Sequence, residues 1–311
     1  MGFRVDVHQH LLGEPLRAAL AARHAPPRLR PRAGGWSFEV PGEPASPLAA
    51  ETEDLDARAA LVAADGLDLA LISLSSALGI EALPPDEAAL LIDAYEQGVD
   101  ELPQRFAAWG AVPLREPDPD DVDALLDRGR VGLTLPAGAI GSQLGLDRVG
   151  PLLERLERRG APLFVHPGPS PWEPSARMAA EDPGWWPALT GYVAAMNAAW
   201  HAFVAVGRPR HPRLRVVFAL LAGLAPLHVE RLAARGGPAA RVADPGLHYD
   251  LSSYGPQAAE AVGRVVGVRQ LVYGSDRPLV EPASLAESVW AVAAAENGAR
   301  IAAPLREEAA A

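Results

Sequence analysis

The sequence predicts an α/β protein, a (β/α)8 barrel forming one domain across residues 1–311. Three observations carry that prediction. Short runs rich in Val, Leu and Phe recur eight times, stretches with helical spacing separate them, and residues able to bind a metal end several of the runs. The length could be divided between two domains, but a single barrel commonly takes about 250 residues or more.

The runs fall at residues 3–8, 68–74, 106–112, 131–135, 162–166, 214–219, 247–252 and 270–275. Such runs are apolar on both sides, as expected for a parallel strand when helices cover one side and a packed barrel interior the other. Between them, residues 121–128, 144–159, 186–206, 227–235 and 258–266 place apolar residues every three or four positions, the stripe of a helix packed on a core. Gly160, Gly207 and Gly236 follow three of these stretches, where a left-handed cap would end a helix. Residues 25–53 and 168–186, rich in Pro with Gly, Arg or Trp, break the repeat. Both follow a run containing His, so both are expected as lid-like insertions on the catalytic side of the barrel.

Composition narrows the function. Net charge of -11 opposes nucleic acid and acidic membranes as partners. Cysteine is absent, which removes disulfides, thiolate ligands and a cysteine nucleophile. All 28 basic residues are arginine, which removes Schiff-base chemistry and lysine carbamates. The longest apolar stretch, around residues 214–229, is interrupted by Pro226 and His228 and falls short of the roughly 20 residues that span a bilayer. A cytoplasmic protein with no membrane contact is expected, and a homodimer is compatible with this composition. Glycine pairs lack phosphate-loop spacing, and no Gly-x-Ser-x-Gly elbow is present.

His8 and His10 stand two apart on the first run, so both imidazoles point to one side. His166 ends the fifth run and Asp276 follows the eighth. In a barrel these positions converge on the ring formed by the carboxyl ends of the strands. Three imidazoles and a carboxylate with an open position suit one divalent ion, Zn²⁺ first by ligand type, with Fe²⁺, Mn²⁺ and Co²⁺ as alternatives. Arg277, Tyr254 and Trp172 are expected near a small carboxylate or carbonyl substrate: an arginine fork for its carboxylate, a phenol for an oxyanion, an indole for an apolar wall. Trp185 and Trp186 extend that wall.

With these residues in place the sequence resembles the amidohydrolase superfamily, and within it the branch of aminocarboxymuconate-semialdehyde decarboxylase and related aromatic-acid decarboxylases. The resemblance covers roughly residues 3–282 and rests on Asp6-Val7-His8-Gln9-His10, His166-Pro167 and Gly274-Ser275-Asp276-Arg277-Pro278. The helix at 187–207 and the approach His211-Pro212-Arg213-Leu214-Arg215 are similar too. The resemblance implies a histidine after the sixth strand to move a proton. Leu220 stands there, in Phe218-Ala219-Leu220-Leu221-Ala222-Gly223. The fourth run has no lysine, which implies one metal rather than two. His228 is the first candidate to replace the missing base and His201 the second, while Asp276 could both ligate and shuttle a proton. The leading expectation is a mononuclear hydrolase of an ester, lactone or amide. A non-oxidative decarboxylase of an aromatic or muconate-like acid is the alternative, and a binding barrel without turnover is the third reading.

Overall fold

The computed structural model describes residues 2–173, 183–282 and 289–303. Eleven strands occur in chain order among these residues. β1 is Val5–Gln9, and β2 (Arg28–Arg32), β3 (Gly35–Glu39) and β4 (Ser46–Ala49) follow. Then come β5 (Leu69–Ile72), β6 (Phe106–Ala108), β7 (Leu133–Pro136) and β8 (Leu163–His166). β9 (Val216–Phe218), β10 (Leu247–Asp250) and β11 (Leu271–Val272) complete the set.

β1, β5 and β6 form one parallel sheet, and β7 to β11 form another in sequence order. Main-chain hydrogen bonds join the two at both edges. Val7 N donates to Tyr273 O at 2.8 Å and Asp276 N to His8 O at 2.9 Å, tying the last strand to the first. Gly110 N donates to Gly132 O at 2.8 Å and Thr134 N to Gly110 O at 2.9 Å, tying β6 to β7. The eight parallel strands therefore close into a barrel, which leaves no free edge to be satisfied by water. All eight predicted runs contain strands, each shorter than its run.

The helices are α1 (Gly13–Ala22), α2 (Leu55–Ala64), α3 (Pro85–Asp100), α4 (Pro119–Asp127), α5 (Ala137–Ile140) and α6 (Gln143–Arg159). They continue with α7 (Pro187–Arg210), α8 (Val229–Ala234), α9 (Pro256–Val266) and α10 (Val289–Gly298). Gly160 ends α6 at φ 65°, and Gly236 follows α8 at φ 74°, as predicted. Gly207 does not end a helix. It lies inside α7, where the missing Cβ leaves room for the Phe203 ring. Of the described helices α7 is long and apolar enough to cross a bilayer. Here it lies along the barrel, with Met196, Trp200 and Phe203 buried and its middle turns against residues 220–228.

Residues 25–53 hold more order than a loop. β2, β3 and β4 pair antiparallel, with Leu29 opposite Phe38 and Trp36 opposite Leu48. These cross-strand apolar pairs stabilise the sheet, and the density of Pro and Gly around them hides their alternation in the sequence. Of the second insertion, residues 174–182 lie outside the described residues.

Inside the barrel, Phe164 stacks on Trp109 with centroids 5.2 Å apart, and its ring meets the His8 ring edge-on at 4.9 Å. Phe164 and His166 share one side of β8 by the two-residue period. An aromatic floor thus supports the imidazoles above it.

Candidate metal centre

His8, His10, His166 and Asp276 each offer a ligand atom, and these atoms lie within 4.8 Å of one another. The cluster sits where the strand-end argument places it, at the carboxyl ends of β1, β8 and β11. The three rings stand nearly perpendicular, at 84°, 90° and 89°, with centroids 4.8 to 5.0 Å apart. His8 Nε2 and His10 Nε2 are 3.0 Å apart, and Asp276 Oδ1 lies 3.4 Å from the first and 3.2 Å from the second.

The other ring nitrogens fix the direction of these lone pairs. His8 Nδ1 donates to Asp250 Oδ2 at 2.7 Å, His10 Nδ1 to Ser73 O at 2.9 Å and His166 Nδ1 to Pro167 O at 2.8 Å. Each imidazole then has its proton on Nδ1 and its lone pair on Nε2, facing the centre. Two lone pairs facing each other at 3.0 Å repel unless a cation lies between them. Asp276 Oδ1 is buried and accepts no hydrogen bond. Convergent imidazoles, an orphaned carboxylate oxygen and outer acceptors that lock each tautomer together fit a metal ion.

The electrostatics agree. Burial pushes the His166 ring well below the ordinary imidazole range, and His10 and His8 add to that. Burial would also lower His8, yet Asp250 and Asp276 outweigh it and raise the ring. The field that favours a proton on His8 is the field that favours a cation among the rings. Burial would raise Asp276, but the histidines around it hold it down at about 2.

Several neighbours aim the cluster. Asp6, fully buried, accepts from His8 N at 3.0 Å, Ser275 N at 3.0 Å and Gln9 Nε2 at 2.8 Å, so one carboxylate clamps β1 to the segment bearing Asp276. Arg58 of α2 donates to Gln9 Oε1 at 2.5 Å and His10 O at 3.0 Å. Asp276 adopts a left-handed backbone at φ 58°, strain of a kind concentrated at functional sites. Gly274 is required by close approach: a Cβ there would come within 2.7 Å of Asp250 Oδ2 and 2.9 Å of His8 Cβ.

The remaining predicted site residues are dispersed. Arg277 turns its guanidinium to Asp65 and to Glu281, the latter at 2.9 Å, so its fork is engaged by protein carboxylates rather than presented to a substrate. Tyr254 lines a separate cavity of about 270 Å³ with Tyr273 and Trp290. Trp172 lies under the Arg148 guanidinium, 4.8 Å from its ring centroid, in a cleft beside the Trp186 cavity. Trp186 lines that cavity, and Trp185 is exposed beside it. His228 is exposed, and its ring neighbour is His201 at 6.4 Å. A left-handed turn over Leu220–Leu224 carries the chain outward before His228 is reached.

Leu220 directly follows Ala219 at the end of β9, and its main chain takes part. Leu220 N donates to Asp250 Oδ1 at 3.0 Å, which helps hold the carboxylate that orients His8. Asp250 itself escaped the sequence reading, although it ends β10 and the strand-end rule applies to it as to His166.

The cavity lined by Trp186 and Tyr192, about 390 Å³ and adjoining the wider cleft at Trp172, lies over the same barrel face, between the loops after β5, β7 and β8, the first turns of α7 and the Pro41–Glu43 turn. Gly168 in its wall is two residues from His166, and the Asp276 charge acts on Tyr192 in the opposite wall.

No protein-family model matches the chain. A curated relative, 2-amino-3-carboxymuconate-6-semialdehyde decarboxylase of Dictyostelium discoideum, is 29% identical over 190 residues, 58% of this chain and 51% of its own length. The chain thus matches about half the length of that relative. Among solved structures, Metarhizium anisopliae IDCase in apo form superposes with a TM-score of 0.79 at 19% identity, covering 98% of this chain and 97% of that one. The 5-carboxyvanillate decarboxylase of Novosphingobium aromaticivorans, complexed with manganese and 4-hydroxy-3-methoxy-5-nitrobenzoic acid, gives 0.72 at 16%, covering 97% and 96%. At these identities the likeness is one of fold. The expectation of a hydrolase is corrected here, because the matched sequence relative is a decarboxylase, the alternative reading. The resemblance to the amidohydrolase superfamily, in its aminocarboxymuconate-semialdehyde decarboxylase branch, thus holds in the matched sequence and in the whole-chain fold.

Proposed function

We propose that this protein is a metal-dependent, non-oxidative decarboxylase of a small aromatic or muconate-like acid. The observation that carries the reading is the His8-His10-His166-Asp276 cluster at the barrel mouth, beside a cavity of about 390 Å³, in a chain whose matched relative is a decarboxylase. That volume suits one small ring with its substituents.

The three Nε2 atoms and Asp276 Oδ1 would hold one divalent ion. Zn²⁺ fits the donor types, and Mn²⁺ is supported by the manganese in the neighbouring decarboxylase. When bound, the ion supplies positive charge that orients the acid's oxygens and stabilises the negative charge left as carbon dioxide departs. Asp250, Ser73 O and Pro167 O accept from the Nδ1 atoms and so keep the three Nε2 atoms aimed at the centre. Apolar walls from Ala77, Leu78, Pro169 and Trp186 exclude water from the carbon that must receive a proton.

The test is release of carbon dioxide from carboxyl-labelled hydroxybenzoic, carboxyvanillic and aminocarboxymuconic acids by protein loaded with Mn²⁺ or Zn²⁺. Release from at least one is expected, falling by about 10²-fold or more in His166→Ala, as loss of a group that stabilises transition-state charge commonly costs. No release from any acid by the metal-loaded protein would contradict the reading.

A further inference from the structure

Decarboxylation ends with a proton on carbon, and Leu220 at the end of β9 has none to give. Among the residues lining the cavity of about 390 Å³, the titratable side chains are Glu43 and Tyr192. Glu43 sits on the hairpin between β3 and β4. Its N–H closes a turn onto Val40 O at 3.3 Å, with Pro41 and Gly42 at the corners. Gly42 has φ 79°, the left-handed conformation that the third position of such a turn needs. Tyr192, on the first turns of α7, donates its hydroxyl to Glu43 Oε1 in a short hydrogen bond. The pair therefore bridges two walls of the cavity, and the Asp276 charge reaches Tyr192 from the cluster.

Resting on the decarboxylase reading, we infer that Glu43 is the acid that protonates the substrate carbon, with Tyr192 as the residue that positions it. The bond between that carbon and its carboxylate breaks, the proton on Glu43 Oε2 forms the new C–H bond, and carbon dioxide leaves with the carboxylate oxygens. The electron pair of the broken bond is accounted for by the C–H pair. Solvent then restores the proton to Glu43, which is only partly buried. The environment supports the acid form. Burial raises the Glu43 carboxyl above the ordinary range, and the Tyr192 hydrogen bond opposes that in part. Burial and the Glu43 charge raise the Tyr192 phenol, so its proton stays on oxygen and Glu43 is the group that exchanges.

Two measurements decide it. The first is a carbon-13 titration of glutamate carboxyls in wild type, Glu43→Gln and Tyr192→Phe. The resonance missing from Glu43→Gln should titrate above the ordinary carboxylate range in wild type and higher still in Tyr192→Phe, where the lowering hydrogen bond is gone. An ordinary titration unchanged by Tyr192→Phe would overturn the assignment. The second is kcat and KM for carbon dioxide release in the same proteins. Glu43→Gln, which keeps a hydrogen-bonding oxygen for Tyr192, should lose about 10² to 10⁴ in kcat, the usual worth of a positioned acid, with KM little changed. In Tyr192→Phe the alkaline limb of kcat should move to higher pH, because an acid acts while protonated. Wild-type release with kcat undiminished in Glu43→Gln would overturn the role of Glu43 alone. No release by the wild type would overturn the decarboxylase reading itself, and the role of Glu43 with it.

Discussion

The three imidazoles lean on different acceptors, so their outer partners differ in what their loss costs. His8 alone leans on a carboxylate, Asp250, while His10 and His166 lean on main-chain carbonyls that mutation does not remove. Asp250→Asn is expected to weaken metal affinity by about 10- to 100-fold, the range for an outer-shell partner, with the fold intact by circular dichroism. Competition with a chromogenic chelator measures it. Unchanged affinity would remove Asp250 from the centre. A second buried carboxyl makes a pH prediction. Burial, partly opposed by the Ser76 hydrogen bond, pushes Glu81 up to about 7. A carboxyl raised in the folded state contributes stability below its unfolded value, near 4.5, and loses it as pH rises through 7. Glu81→Gln should therefore match wild type near pH 5 and exceed it at pH 8 by about 1–3 kcal/mol in urea unfolding.

At this scale the sequence exposes the cluster of candidate ligands because strand geometry is simple. A period of two puts His8 and His10 together, and a strand end gives His166 and Asp276 a shared rim. Glu43 obeys no such rule. Its place depends on how a Pro-Gly turn folds back over the cavity, a contact 149 residues away in sequence at Tyr192. Arg277, expected near the substrate, is instead seen with its guanidinium on Asp65 and Glu281, while its neighbour Asp276 points inward.

Among the elements, the turn after β9 is the most strained. Leu220, Leu221, Ala222, Gly223 and Leu224 all have φ between 49° and 62°, where a Cβ costs roughly 1–2 kcal/mol per residue. At Gly223 a Cβ would also overlap the Val193 carbonyl of α7. Gly223→Ala is expected to destabilise by about 2–4 kcal/mol, since neither backbone can yield cheaply. Ala222→Gly should stay within about 1 kcal/mol of wild type, relief of strain offsetting the added freedom of the unfolded chain. Urea unfolding of both variants checks the contrast, and equal costs would deny the left-handed turn. The eight barrel strands were legible because burial on both sides writes a continuous apolar run. Helices α1, α2 and α3 and the β2–β4 sheet left weaker marks, since Pro, Gly and single charges interrupt their stripes.

For the whole molecule, the centre joins β1, β8 and the segment after β11, so an ion there links the first strand to the last. Binding to the folded state alone stabilises by about 2.7 kcal/mol at a hundredfold excess over Kd. For a large domain that amounts to several degrees in Tm. Chelation should lower the Tm of the wild type by that amount and leave His8→Ala/His10→Ala unmoved, as differential scanning fluorimetry would show. The barrel class was legible from repeat count and strand-end ligands together. Its chemistry was not: four residues that could hold a metal for hydrolysis would hold one equally well for decarboxylation.

The most direct test of the account is the metal content of purified protein reconstituted with Zn²⁺ or Mn²⁺ and freed of excess ion, measured by inductively coupled plasma mass spectrometry. One divalent ion per chain is predicted for the four converging donors, falling to trace in His8→Ala/His10→Ala. A double variant that keeps full metal, or a wild type that retains none, would contradict it.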